Sequence, residues 1–157
     1  MSEYSLPLSQ LIHENLSIIM CFAYSRRPLE NMVDTKFAGR WRYLNKALLD
    51  ISQERAEKAC LELALFLRMI DDEEGISEYH KETHVPNCGR LIVKGGKEKS
   101  LTFREVSNKM IHSAKLEWNF EDQSLPKLVC HSRNKEKWIR AEIDMIALAS
   151  VCGQLMS

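Results

Sequence analysis

Residues 100–120, SLTFREVSNKMIHSAKLEWNF, decide the fold class, because the hydrophobic period changes within this one stretch. Thr102 with Glu105 three positions later forms a capping box, which opens a helix over 103–113. Phe103, Val106, Met110 and Ala114 then fall on one side of that helix. In KLEWNF the period drops to two: Leu116, Trp118 and Phe120 share one face of a strand, and Lys115, Glu117 and Asn119 share the other. A capped helix running straight into a half-buried strand points to mixed architecture with antiparallel pairing.

Working outward, PKLVCHSR and KWIRAEID read as two more strands joined by NKE, a connection of hairpin length. Ile139, Ala141 and Ile143 are expected to face the core, with Trp138, Arg140 and Glu142 on the opposite face. Asp144 can cap a closing helix whose stripe is Met145, Leu148, Ala149, Cys152, Leu155 and Met156. Upstream, RLIVKGGKEKSL fits a short strand and a Gly-Gly turn.

The first half is helical in period. Leu8, Leu11, Ile12, Leu16, Ile19 and Ala23 line one face over residues 8–24, and Pro28 in SRRPLEN predicts a break. Phe37, Trp41, Leu44, Leu48 and Ile51 continue the pattern in a second helix. DISQER then reads as a junction, with Asp50 or Ser52 capping a third helix over 53–71. Ala56, Ala59, Cys60, Leu63, Phe66, Leu67 and Ile70 form its stripe. Leu61 and Leu65 widen that stripe, which predicts burial on more than one side.

The expected fold is α+β: an N-terminal helical layer followed by a small antiparallel β-meander with a helix on each side. A single domain spans 1–157, its helical part about 1–85 and its α+β part about 86–157.

Lys plus Arg and Asp plus Glu both number 22, so net charge carries no global signal for nucleic acid or an anionic membrane. The five cysteines are odd in number, scattered and mostly set in apolar runs, which fits a reducing cytoplasm better than a disulfide scaffold. No signal-like leader is evident, and the apolar run 18–23 is too short to span a bilayer. Walker A, Gly-x-Gly-x-x-Gly, Gly-x-Ser-x-Gly and His-Glu-x-x-His patterns are all missing from the sequence, and nothing in it calls for a cofactor.

His112 lies opposite the apolar side of the helix over 103–113, sharing its polar face with Glu105, Asn108 and Lys109. An imidazole that titrates near neutrality, with Lys109 and Arg104 for anionic charge and Asn108 to orient a ligand, would suit a metal-independent ribonuclease or a phosphate-binding protein. The competing reading is an ordinary solvated helix face. His80, His84 and Cys88 recur every four residues, which is zinc-ligand chemistry on a continuous helix. Pro86 interrupts that helix and no fourth ligand adjoins, although Glu82 or the Cys130–His131 pair could approach on folding. A polar linker is the alternative. Trp138 beside Arg140 has the character of an interface anchor.

LTFREVSNKMIHS, the strands that follow it, RAEIDMIALASVCGQL and the earlier ERAEKACLELALFLRMIDDEEG resemble a group of uncharacterised bacterial proteins. The chain is more distantly similar to HEPN-type helical domains, several of which are ribonucleases in bacterial defence and toxin–antitoxin systems. Their motif is an arginine, four to six residues, then a histidine. Here seven residues separate Arg104 from His112, so the motif is absent, and the resemblance implies a partner or degenerate member rather than an active nuclease. With no catalytic motif present, the expected function is protein–protein association, most simply as a homodimer. A small ribonuclease or phosphate-binding protein centred on His112 is the alternative.

Overall fold

The computed structural model describes residues 7–37, 42–76, 78 and 88–155. The helical part comprises α1 (Leu8–Lys36), α2 (Arg42–Asn45), a π-helical turn (Lys46–Asp50) and α3 (Ile51–Glu74). The second part comprises β1 (Gly89–Val93), β2 (Glu98–Ser100), α4 (Phe103–Ile111), β3 (Ser113–Asn119), β4 (Lys127–Ser132), β5 (Trp138–Asp144) and α5 (Met145–Gln154). The fold is therefore α+β, with the helical part first and a helix before and after the meander.

Helix α1 runs through Pro28 instead of breaking there. Proline inside a helix removes one i→i−4 bond and costs about 3 kcal/mol, but here its ring sits on an exposed side. Both flanks are anchored: Phe22 and Ala23 are buried before it and Val33 after it. Arg26 also bridges the site, donating from Nε to Glu30 at 2.6 Å and from Nη1 to the Leu49 carbonyl at 3.1 Å.

The expected junction at DISQER is likewise continuous helix. Asp50 has helical torsions and no capping bond, and the Ser52 hydroxyl donates back to the carbonyls of Leu48 (2.7 Å) and Leu49 (3.0 Å). The wider π turn rotates the apolar face. Leu49 is buried as a result, and Ile51, expected in the stripe, is exposed. Trp41 and Met156 lie outside the described residues.

Helix α3 buries Ala56, Ala59, Cys60, Leu63, Ala64, Leu67 and Ile70, with Phe66 half-buried, and ends at Gly75 in the left-handed conformation (φ 64°). It is not buried on a second side: Leu61, Leu65 and Met69 are 44%, 52% and 50% exposed.

The capping box at Thr102 is formed. The Glu105 N–H donates to Thr102 Oγ1 at 3.2 Å, and the Glu105 carboxylate accepts from the Thr102 N–H at 3.4 Å. Thr102→Ala should cost about 1 kcal/mol, read as a shift in denaturant midpoint at constant slope. The helix ends two residues earlier than its period suggests. The Ser113 hydroxyl bonds the Met110 carbonyl at 2.9 Å, and β3 begins at once. Ala114, expected on the helix's apolar side, is an exposed strand residue.

The strands form one antiparallel sheet in the order β2-β1-β5-β4-β3. The meander β3-β4-β5 is as expected, and the β1–β2 hairpin joins it by pairing β1 with β5. One face carries Leu91, Ala141, Cys130 and Leu116 in one row and Ile143, Leu128 and Trp118 in the next. These pack with Phe103, Val106 and Met110 of α4, Leu148 and Cys152 of α5, Leu63 and Leu67 of α3, and Ile12 and Ile19 of α1 in one core. The other face carries a charge lattice beside two buried apolar residues, Ile92 and Val129. Arg90 donates to Glu98 at 2.8 Å and to both Glu142 oxygens at 3.0 Å, Arg140 lies 3.4 Å from Glu142, and Lys115 lies 3.4 Å from Glu117.

Asp144 caps α5 as expected, accepting from the N–H groups of Ile146 (2.9 Å) and Ala147 (3.2 Å). At its other end His13 Nε2 donates to the Cys152 carbonyl at 2.7 Å, tying α1 to the last turn. No described helix is long and apolar enough to cross a membrane.

Candidate functional site

The polar residues of α4 are drawn apart by structural partners. Arg104 bridges Asp71 (3.0 Å) and Asp72 (2.6 Å) at the end of α3, and these hydrogen bonds raise its pKa above the ordinary arginine value. Asn108 accepts a hydrogen bond from Arg68 of α3, and Glu105 is engaged in the cap. Lys109 turns the other way, with Nζ 4.7 Å from the Trp138 ring centroid. Burial lowers its pKa, Glu105 opposing the shift and Lys137 adding to it. His112 is exposed at the helix end, where its backbone N–H bonds the Asn108 carbonyl at 3.0 Å. Arg104 and Asn108 thus serve α4–α3 packing, Lys109 serves α4–β5 packing, and His112 alone points its ring to solvent.

Trp138 is not on the face expected of it. Ile92 pairs with Arg140 and Val93 with Trp138, so Ile139 is an extra residue in a β-bulge. The bulge returns Trp138 to the helix side, half-buried against the core beneath Lys109. Arg140 remains on the charged face with Glu142.

His80 and His84 lie outside the described residues. Cys88 is buried at 2% exposure, and no group of three potential metal ligands occurs among the described residues. Cys130 points into the core, and its neighbour His131 points to the charged face, with Nε2 3.5 Å from Glu117 and no hydrogen bond. Burial pushes the Cys88 thiol up to about 11 and those of Cys130 and Cys152 up to about 12, with Cys60 raised further. At neutral pH these four are thiols, unsuited to nucleophilic attack.

The feature that periodicity did not identify as a site is the outer side of α3. Leu61, Leu65 and Met69, spaced by four, form an exposed apolar ridge about 12 Å long at 1.5 Å per residue. Lys58, 79% exposed, stands one turn before it, and Asp72, 60% exposed, stands one turn after it. On a helical wheel both lie within about 20° of Leu65, so they close the ridge at its two ends with opposite charge. The signal in the sequence was Leu61 and Leu65, which widened the stripe beyond what one buried side needs.

No family model, curated protein or solved structure matches this chain.

Proposed function

We propose that this chain acts by protein–protein association, and that its first partner is a second copy of itself, docked through the outer ridge of α3. The observation that carries this reading is the order Lys58, Leu61, Leu65, Met69, Asp72 along an exposed helix face. Two such helices related by a two-fold axis at Leu65 run antiparallel. Leu61 then meets the partner's Met69, and Lys58 meets the partner's Asp72, twice over. A parallel arrangement would set lysine against lysine and aspartate against aspartate, so the ridge selects its own orientation.

Asp72 can serve this contact without releasing Arg104, because Asp71 holds the same guanidinium. The apolar centre is small beside the roughly 800 Å² per partner of a standard interface, so affinity is expected on the order of micromolar. Buried unpaired thiols support placing this association in a reducing cytoplasm.

Sedimentation across 1–100 µM or so tests the reading. The protein should pass from an 18.2 kDa species to twice that mass. Leu65→Glu should stay monomeric throughout, because each copy would bury a carboxylate against its own symmetry mate. Lys58→Glu should weaken the dimer about tenfold, and adding Asp72→Lys should restore it, since two rim pairs of up to about 1 kcal/mol each are first reversed and then re-formed. A wild-type chain that stays monomeric at every concentration overturns the proposal. So does a dimer indifferent to Leu65→Glu.

A further inference from the structure

The antiparallel order brings several separate segments to one end of the sheet. β1 and β4 both end there, β2, β3 and β5 begin there, and α4 delivers its last turn to the same place. The β1–β2 turn therefore lies beside the β4–β5 connection, and the Lys94 N–H bonds the Lys137 carbonyl at 3.2 Å. Lys94 and Lys97 project from the first turn, and Arg133, Lys135 and Lys137 from the second, all of them exposed. Lys109 stands behind them over Trp138.

Elsewhere in the molecule several basic side chains are paired with carboxylates. Arg26 and Arg27 pair with Glu30, Arg90 with Glu98 and Glu142, Arg104 with Asp71 and Asp72, and Lys115 with Glu117. Among the described residues none of the five cations on the two turns is in an ion pair. Of the two carboxylates in these turn segments, Glu98 is held by Arg90, which leaves Glu136. Because the whole chain is neutral, this basic end implies an equal acidic excess over the rest. Net neutrality of the whole chain therefore does not describe this end of it.

We infer that this end of the sheet is a docking surface for the phosphate backbone of nucleic acid, bound without base readout. The two turns cross four strands, about 14 Å at ~4.8 Å each, which is close to the length of four nucleotides at ~3.4 Å of rise. Turn residues on flexible stems suit sequence-independent contact with phosphates, which positions a strand but reads no base. An anionic membrane fits less well. Among the described residues no exposed large apolar side chain lies on the basic turns, so nothing there would insert into lipid. The surface is separate from the α3 ridge, and neither proposal depends on the other.

Fluorescence anisotropy with a labelled single-stranded RNA 12-mer provides the test, at a protein concentration fixed with respect to any self-association. Some four phosphate contacts at a slope of about −0.7 each predict a roughly 50-fold loss of affinity between 50 and 200 mM salt. Arg133→Ala with Lys135→Ala should weaken binding about tenfold or more at 50 mM and flatten the salt slope by about half. Lys94→Ala with Lys97→Ala on the neighbouring turn should do the same. Lys36→Ala with Lys46→Ala, equally exposed but distant in the fold, should change neither. Thermal midpoints of all three double variants should match the parent, which keeps loss of binding distinct from loss of fold. Absence of binding at 50 mM salt, a salt-independent affinity, or equal losses in the turn and control variants would overturn the inference. Capture of phosphatidylserine vesicles under conditions where the RNA is not bound would also overturn it and assign the surface to lipid headgroups.

Discussion

Gly89→Ala should cost about 4 kcal/mol or more, the largest effect of any single methyl group added to this chain. Gly89 opens β1 with φ 149°, where a side chain is strained. The decisive term is space. A Cβ there would sit 2.0 Å from the Glu142 carbonyl oxygen, 3.0 Å from its carbon and 3.2 Å from Ile143 Cα. All three are backbone atoms of β5, the strand that β1 pairs with, so no side-chain rotation relieves the clash. Moving β1 away would loosen the Gly89–Ile143 pairing and the linked bonds around it: Leu101 N–H to the Gly89 carbonyl (3.1 Å), Cys88 N–H to the Leu101 carbonyl (3.1 Å) and Asp144 N–H to the Cys88 carbonyl (2.8 Å). Those bonds join the hairpin, the start of α4 and the cap of α5, so the damage spreads beyond one strand. Against a typical total of about 5–15 kcal/mol, such a loss populates unfolded chain at room temperature if the parent lies near the lower end of that range. Denaturant titration and amide exchange would read it, with protection lost first across β1 and β2. Gly95→Ala is the control. It has φ 91° but nothing within 4 Å of its Cβ position, so it should cost only about 1 kcal/mol of strain. Equal effects at the two glycines would mean that β1 does not approach β5 as described.

That contrast also shows which parts of the fold could be read beforehand. Local signals with a short-range cause were legible. Thr102–Glu105, Asp144 and the alternation of Leu116 and Trp118 each depend on residues within a few positions, and each has the expected role, whereas Phe120 lies one residue past β3, stacked on Trp118. What escaped depended on partners distant in sequence. Pro28 signals a break locally, but buried neighbours on both flanks and the Arg26–Leu49 bond hold the helix together across it. Strict alternation sets Trp138 on the face of Arg140, and a one-residue bulge against β1 puts it on the other. The same applies to the candidate site. Glu105, Asn108, Lys109 and His112 share a helix face as their spacing requires, but the spacing could not show that Asp71, Asp72, Arg68 and Trp138 would engage their neighbours. Neutral composition concealed the basic end for a related reason: residues 94–97 and 133–137 are far apart in sequence and meet only through the β1–β5 pairing.

Leu63→Ala should cost about 2–5 kcal/mol, whereas Leu65→Ala, two residues along the same helix, should be within about 0.5 kcal/mol of the parent in the dissociated monomer. Leu63 has no exposed surface and lies in the core with residues of α1, the sheet and α5. Truncating it removes its transfer free energy and leaves a cavity that rigid neighbours on several elements cannot fill. Leu65 is about half exposed, so little apolar surface is lost from the folded monomer when it is shortened. Phe66, half-buried at the edge of the same cluster, should fall between the two despite its larger ring. The pair also separates the core from the interface. Unfolding midpoints of Leu63→Ala should drop at every protein concentration, while the dimer it forms should keep the parent geometry. Leu65→Ala should leave the dilute midpoint unchanged and remove the rise in midpoint that self-association adds at high concentration, because a ligand that binds only the native state stabilises it by mass action. If the two leucines lower the dilute midpoint equally, α3 is buried on two sides and the ridge is not a surface. If neither alters the concentration dependence, the partner copy docks elsewhere.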